Sequence, residues 1–342
     1  MKKIVLYAND ISSLAGVTGA QEIFNCANIL WEIGNPGADP IFECSVVSPE
    51  KSCQELCAGL NIEFATGLDH HEHADAVIST GFLYRDINQL IQKIDKSKAA
   101  LNWLRRHYGE GTTIGASCSG TVLLAETGLL DEKRATTSWW LDGFFRTRYP
   151  RIELHIDRLL VDNGHLVTAG AMTSYIYLVL GLIERFYDKK LALSCAKVML
   201  IDLNKNYQTP YAILQTIVRH PDDIVLKAQY WMNEHVHDTI DMHELADYLA
   251  VSYRTLLRRF KAATGDTPIC YLQKARVEMA KHLLETTALN TETVMERVGY
   301  SDLSSFTLLF KRLTRLTPRE YRDNFSIAYR KKDNLYSERP VD

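Results

Sequence analysis

Long apolar runs are missing from this chain of 342 residues. The longest later stretch, Tyr175 to Ile183, falls far short of the ~18 residues a membrane-spanning helix needs, so no membrane partner is expected. At the N-terminus, Met1-Lys2-Lys3 followed by Ile4-Val5-Leu6-Tyr7 starts like a signal peptide. Asn9 and Asp10 interrupt that run after about four residues, short of the ~7–15 of a signal core, and a first buried β-strand is expected instead. An excess of charge is lacking too. The net charge is −3, and from Pro221 onward 18 basic residues balance 18 acidic ones, so no basic domain announces a nucleic-acid partner. Seven cysteines make an odd count without secretory context, which argues against a disulfide framework and for reduced thiols in a cytoplasm. What remains is a globular composition, 46% hydrophobic and 24% charged, in a chain long enough for roughly two domains.

The first half alternates short apolar strands with helical stretches. Strands are expected at Lys3–Ala8, Phe42–Ser48, Ala76–Ser79 and Thr112–Ala116, and helices at Gly19–Trp31, Lys98–His107 and Ser119–Glu126. That alternation predicts an α/β domain with a parallel sheet flanked by helices. Helices follow at Ser174–Tyr187 and Leu191–Asn204. Pro210 and Pro221 interrupt a stretch of weak periodicity, which places a linker at 206–222 between a first domain at 1–205 and a second at 223–325. A polar tail, 326–342, closes the chain.

Beyond residue 223 two similar helical units recur, so the second domain is expected to be all-α. Asp241 can cap a helix carrying Leu245, Tyr248 and Leu249, and Ser252 can cap a second helix that Gly265 stops. On that second helix Leu256 and Phe260 lie four apart and face a core. Ser252, Tyr253, Arg254, Leu257, Arg258 and Lys261 fall on other faces, where a helix-turn-helix presents its recognition helix to the major groove. Pro268–Leu284 forms a long connecting helix. Thr291–Val298, Gly299 and Leu303–Leu313 then repeat the pattern, with Phe306 and Phe310 inward and Ser301, Ser304, Ser305, Lys311 and Arg312 outward. Arginines at such positions bind guanine edges or phosphates.

In Thr112-Thr113-Ile114-Gly115-Ala116-Ser117-Cys118-Ser119-Gly120, a strand runs through a turn of small residues into a helix. That is what a nucleophile elbow needs, with the thiol at a helix N-terminus. Asp69-His70-His71-Glu72-His73 offers metal-ligand chemistry, but no second ligand group is identifiable, and it reads as a solvated loop. Cys53 and Cys57, with Cys44 nearby, lack a partner pair at zinc-site spacing. Neither a metal nor a cofactor is expected.

Two strings carry family resemblance. "SYRTLLRRFKAATGDTPICYLQKARVEMAKHLL" and "GYSDLSSFTLLFKRLTRLTPREYR" closely resemble the DNA-binding domain of the AraC/XylS family, over about Lys227 to Phe325. That resemblance implies two recognition helices in successive major grooves of operator DNA, with RNA polymerase a candidate partner. Met295, Leu308 and Arg315 depart from the family pattern, where small, polar and glycine residues are usual. "GASCSGTVLLAETGLLDEKRATTSWW", with "GAQEIF" and "NGHLVTAG", resembles the PfpI-type, class I glutamine amidotransferase-like domain of GlxA-like regulators, over residues 3–205. The resemblance implies a site of Glu22, Cys118, Ser119, Ser138 and Trp139. Where such proteins often carry histidine, this chain has Ser138, whose hydroxyl cannot act as a base near neutral pH. A vestigial site is therefore expected, with no catalytic residue unless His107, His155 or His165 substitutes. The reading is a regulator whose first domain senses a small, nitrogen-containing metabolite and forms a homodimer, with Trp139, Trp140 and Glu22 suited to a cationic amine. The alternatives are a cysteine-dependent hydrolase or amidotransferase tethered to DNA, and a thiol redox regulator acting through Cys118.

Overall fold

The computed structural model describes residues 1–49, 54–56, 60–62, 66–68, 73–212 and 221–327. Residues 69–72 of the histidine-rich stretch, Cys53, Cys57, 213–220 of the expected linker and 328–342 of the expected tail lie outside them. Two compact units emerge, Met1–Gln208 and Thr209–Asp342.

The first unit is built on strands β1 (Lys2–Tyr7), β2 (Phe42–Ser48), a short pair β3 (Gln54–Leu56) and β4 (Leu60–Ile62), β5 (Thr66–Gly67), β6 (Ala76–Ser79), β7 (Thr113–Ser117), β8 (Arg134–Ala135), β9 (Glu153–Leu154), β10 (Leu160–Asp162) and β11 (Leu166–Ala169). Its helices are α1 (Leu14–Gly34), α2 (Ile87–Asp95), α3 (Lys98–Gly109), α4 (Gly120–Glu126), α5 (Asp142–Arg148), α6 (Tyr175–Phe186) and α7 (Lys189–Val198). Seven strands form one sheet in the order β10-β11-β7-β6-β1-β2-β5. All its pairings are parallel except that of the edge strand β10 with β11. Period-two alternation sends successive side chains to opposite faces. Thus Val5, Tyr7, Val77 and Ile114 pack under α2, α3 and α4, whereas Ile4, Leu6, Ile78 and Val167 pack under α1, α6 and α7. Burial on both faces is why these strands read as continuous apolar runs.

The helix expected to reach Asn204 stops at Val198, because Leu200 takes a positive φ of 54° and is 94% exposed. Burial pushes the thiols of Cys44 and Cys195 up to about 12, so both stay protonated near neutral pH. No helix among the described residues is long and apolar enough to cross a membrane.

The second unit is helical: α8 (Asp223–Glu234), α9 (Met242–Tyr248), α10 (Tyr253–Thr264), α11 (Pro268–Thr286), α12 (Thr291–Arg297), α13 (Leu303–Thr314) and α14 (Pro318–Phe325). Each of these seven helices starts on a side-chain cap. Asp222, Asp241, Ser252, Thr267, Asn290, Asp302 and Thr317 each accept a first-turn backbone N–H. Two small cores result. Leu245, Leu256, Phe260 and Leu272 belong to the first, and Val294, Phe306, Phe310 and Tyr321 to the second. Helix α11 serves both, giving Tyr271 and Leu272 to one and Val277, Ala280 and Leu284 to the other.

Candidate functional site

The elbow forms where β7 ends. Cys118 has a φ of 56°, a left-handed conformation that costs a non-glycine residue about 1–3 kcal/mol. Close packing enforces it. A Cβ on Gly120 would fall 2.3 Å from the Thr80 carbonyl oxygen, and one on Gly81 would fall 3.2 Å from the Cys118 sulfur. The Cys118 amide donates to the Gly170 carbonyl at 2.8 Å, and the Thr137 hydroxyl donates to the Cys118 carbonyl at 2.8 Å. Ser138 Oγ donates to the thiol sulfur at 2.9 Å. Ser119 instead bridges the backbone of Phe82, accepting from its amide and donating to its carbonyl.

Cys118, Ser119 and Ser138 are thus brought together, each no more than 1% exposed. Trp139 stands beside them, half-buried, edge-on to Trp140. Glu22 makes no direct contact with the thiol through a hydrogen bond among the described residues. It lies on the exposed side of α1, where its charge bears on the Tyr175 phenol. Farther from the thiol sulfur lie Ser119 Oγ at 3.9 Å and the Met172 sulfur at 4.0 Å. No described histidine hydrogen-bonds the thiol. His107 faces Thr112 and Trp103, His155 pairs with Glu153, and His165 is exposed on the turn before β11. Tyr84, which no sequence motif marks, accepts a hydrogen bond from Trp140 Nε1 at 2.9 Å, and burial pushes its phenol up to about 12. The two residues are 56 apart in the chain, and no local signal joins them.

The candidate nucleic-acid face is built on α10 and α13. Ser252 caps α10, Leu256 and Phe260 are fully buried, and Gly265 ends the helix with a φ of 79°. Arg254, Arg258 and Lys261 are exposed, while Tyr253 and Leu257 are half-buried, Tyr253 against the His243 ring. Arg259, the remaining cation of α10, is turned away. It makes a two-pronged pair with Asp222, both contacts at 2.8 Å, and the guanidinium holds that carboxyl below the usual carboxylate range. On α13, Ser304, Ser305, Lys311 and Arg312 are exposed, as is Ser301 just before it, and Leu308 is 70% exposed. Met295 is buried at the contact between α12 and its core. One arginine of α11 ties the two helix-turn-helix units together. Arg276 donates to the carbonyls of Val236 and Asp238 and lies over the Tyr300 ring at 5.2 Å.

These features define an α/β unit with a strained strand-to-helix cysteine, followed by a tandem helix-turn-helix unit. Residues 42–185 match the DJ-1/PfpI family, and residues 245–324 match a helix-turn-helix domain family. The chain carries a DJ-1/PfpI domain followed by an AraC-type helix-turn-helix domain. It is 28% identical over 215 residues to the HTH-type transcriptional regulator CdhR of Pseudomonas aeruginosa, covering 62% of this chain and 63% of CdhR, less than two thirds of that relative. Identity to the HTH-type transcriptional regulator GbdR of the same species is 24% over 265 residues, or 77% of this chain and 70% of GbdR. A Vibrio parahaemolyticus protein of known crystal structure superposes with a TM-score of 0.51 at 20% identity, over 58% of this chain and 98% of that one, a likeness of fold.

Proposed function

We propose that the protein is a sequence-specific, DNA-binding transcription regulator whose first unit senses a small metabolite and dimerises. The carrying observation is α10: its apolar face is spent on the core, one arginine is withdrawn into an ion pair, and Arg254, Arg258 and Lys261 are left facing outward. Such a helix suits operator DNA, with bidentate arginines on guanine or phosphate. Dimerisation would bring four helix-turn-helix units to one operator and raise avidity through effective concentration. RNA polymerase is then a natural second partner, in the cytoplasm where such regulators act. The resemblance to GlxA-like regulators favours a nitrogen-containing effector.

The elbow serves this reading as a vestige of an enzyme. Ser138 takes the hydrogen-bonding place at the thiol that a catalytic base would need, and a serine hydroxyl does not accept a proton near neutral pH. The test is selection of bound fragments from genomic DNA by the full-length chain, followed by gel-shift titration at two salt concentrations. A selected site bound with a steep salt slope supports the proposal, and binding indifferent to sequence refutes it.

One observation favours a second reading. The strained φ of Cys118 is kept, as a cysteine hydrolase would require. Amide, ester and 2-oxoaldehyde substrates offered to the protein and to Cys118→Ala decide the matter: cysteine-dependent turnover would replace the sensor by an enzyme.

A further inference from the structure

The elbow is sealed, with Cys118, Ser119 and Ser138 all but inaccessible. Elsewhere in the first unit an open groove of about 460 Å³ lies between β10, α6, α7 and the outgoing segment 203–206. That volume falls within the range of small-molecule sites. Leu160, Leu180, Ala192 and Leu203 make its lining apolar, and Arg158, Lys189 and Lys205 stand around it against one carboxylate, Glu184. The Arg158 guanidinium is held in place over the Tyr207 ring at 4.9 Å.

We propose that this groove binds a small carboxylate with an apolar body. The excess of cations selects an anion, and the leucines bury a hydrocarbon chain. An ammonium compound of the same length would meet an excess of cations over the single carboxylate, Glu184.

The groove's outgoing wall is also the elbow's support. The Leu159 amide donates to the Asn206 carbonyl at 3.1 Å, and the Gln208 amide to the Asp157 carbonyl at 3.0 Å. Gln208, almost wholly buried, donates from Nε2 to the Thr137 carbonyl at 2.7 Å and accepts at Oε1 from the Ala171 amide at 3.0 Å. Thr137 precedes the serine that holds Cys118, and Gln208 is the last residue of the first unit. A ligand in the groove therefore presses on the segment that leads into the DNA-binding unit. That consequence rests on the regulator reading; binding in the groove does not.

Gly181 provides a selective block. A Cβ there would meet only Leu160, at an ordinary 3.8 Å, so Gly181→Ala fits while Gly181→Phe fills the groove. Octanoate, octanol and octylamine are titrated by calorimetry into the full-length protein, the two glycine variants, and Arg158→Gln/Lys189→Gln. The expected result is saturable octanoate binding at one site, kept in Gly181→Ala, lost in Gly181→Phe and weakened at least tenfold in the double variant. Octanol should bind weakly and octylamine not at all. No octanoate binding, equal binding of all three probes, or octanoate binding by a folded Gly181→Phe protein would overturn the proposal. If Gly181→Phe does not fold, the double variant decides alone: unchanged octanoate affinity overturns the proposal. Operator affinity is then measured with and without octanoate. Binding without an effect on DNA leaves the groove assigned and refutes its regulatory consequence; a metabolite that shifts DNA affinity in a protein that ignores octanoate refutes only the groove.

Discussion

The two helix-turn-helix units repeat one another at an offset of 50 residues through the second helix and beyond it. Ser252 and Asp302 cap, Leu256 and Phe306 anchor, Phe260 and Phe310 anchor again, and Thr267 and Thr317 cap the helix that follows. Phe260 meets Tyr271 and Phe310 meets Tyr321 at the same ring separation of 5.5 Å. Both units also need two left-handed residues, one in the turn and one ending the recognition helix. They fill those positions in opposite ways. The first uses Ala250 in the turn and Gly265 at the end, and the second uses Gly299 in the turn and Arg315 at the end. Surroundings explain the turn. Ala250 is exposed, whereas a Cβ on Gly299 would fall 2.9 Å from both the His237 carbonyl and the Arg276 guanidinium. Sequence similarity between the units thus hides a difference in what packs against each turn.

The largest effect should come from that packing. Gly299→Ala combines left-handed strain with a clash against a backbone carbonyl, and should destabilise the second unit by roughly 2–4 kcal/mol. Gly299→Ala is compared with Ala250→Gly by urea unfolding, where the latter should change stability by under about 1 kcal/mol. Similar losses at both positions would remove the distinction drawn between the turns.

DNA binding should be unequal in the same direction. Arg254 and Arg258 correspond to Ser304 and Leu308, so α10 carries its cations along its length, while α13 carries Lys311 and Arg312 near its end. Arg254→Ala or Arg258→Ala should each weaken specific operator binding by about 1–3 kcal/mol, roughly 5- to 150-fold. Leu308→Ala should cost less than either. Gel-shift titrations that gave equal losses would refute the ordering.

Acid should separate the units as well. Arg259 of α10 is held by Asp222, whereas its counterpart Leu309 is buried among apolar side chains. The Asp222 carboxyl is held below its ordinary value by Arg259, so its stabilisation is full above about pH 4 and fades as pH falls through the lowered folded-state value. Asp222→Asn should therefore flatten the acid limb of a stability–pH curve below about pH 4. An unchanged acid limb would mean that the pair does not hold α10.

The helix ends give a smaller contrast. Gly265 has open space around its missing Cβ, so Gly265→Ala adds backbone strain alone, about 1 kcal/mol. Arg315→Gly relieves comparable strain in the folded state but loosens the unfolded chain, leaving a gain below about 1 kcal/mol. Thermal unfolding of the two variants should shift in opposite directions.

Much of this was legible because it is local. Ser252, Leu256, Phe260 and Gly265 are joined by capping and by a period of 3.6, and both act within one helix. Phe42–Ser48 and Ala76–Ser79 stand where apolar composition places them. The withdrawal of Arg259 was not legible, since its partner Asp222 lies 37 residues away at the cap of another helix. Nor was the position of Glu22, because which face of α1 turns toward the thiol depends on how the helix sits on the sheet. The groove was invisible for a like reason: β10, α6, α7 and the segment after them contribute only a few residues each.

Leu308 offers the finest discrimination between the two recognition helices. An exposed leucine on a surface otherwise meant for water gains nothing for the fold, and if α13 faces the major groove it would meet the thymine C5-methyl there. Replacing single thymines of the operator by deoxyuridine removes that methyl and leaves base pairing intact. A buried methyl contributes about 0.8 kcal/mol, so one such replacement in the half-site read by α13 should weaken wild-type binding about three- to fourfold. Leu308→Ala should bind the two DNAs alike. Replacements in the half-site read by α10 should leave the two proteins equally affected, because Arg258 stands at the corresponding position there. If no single deoxyuridine separates wild type from Leu308→Ala, the second helix holds phosphates without reading thymine, and the inequality between the units is larger than proposed.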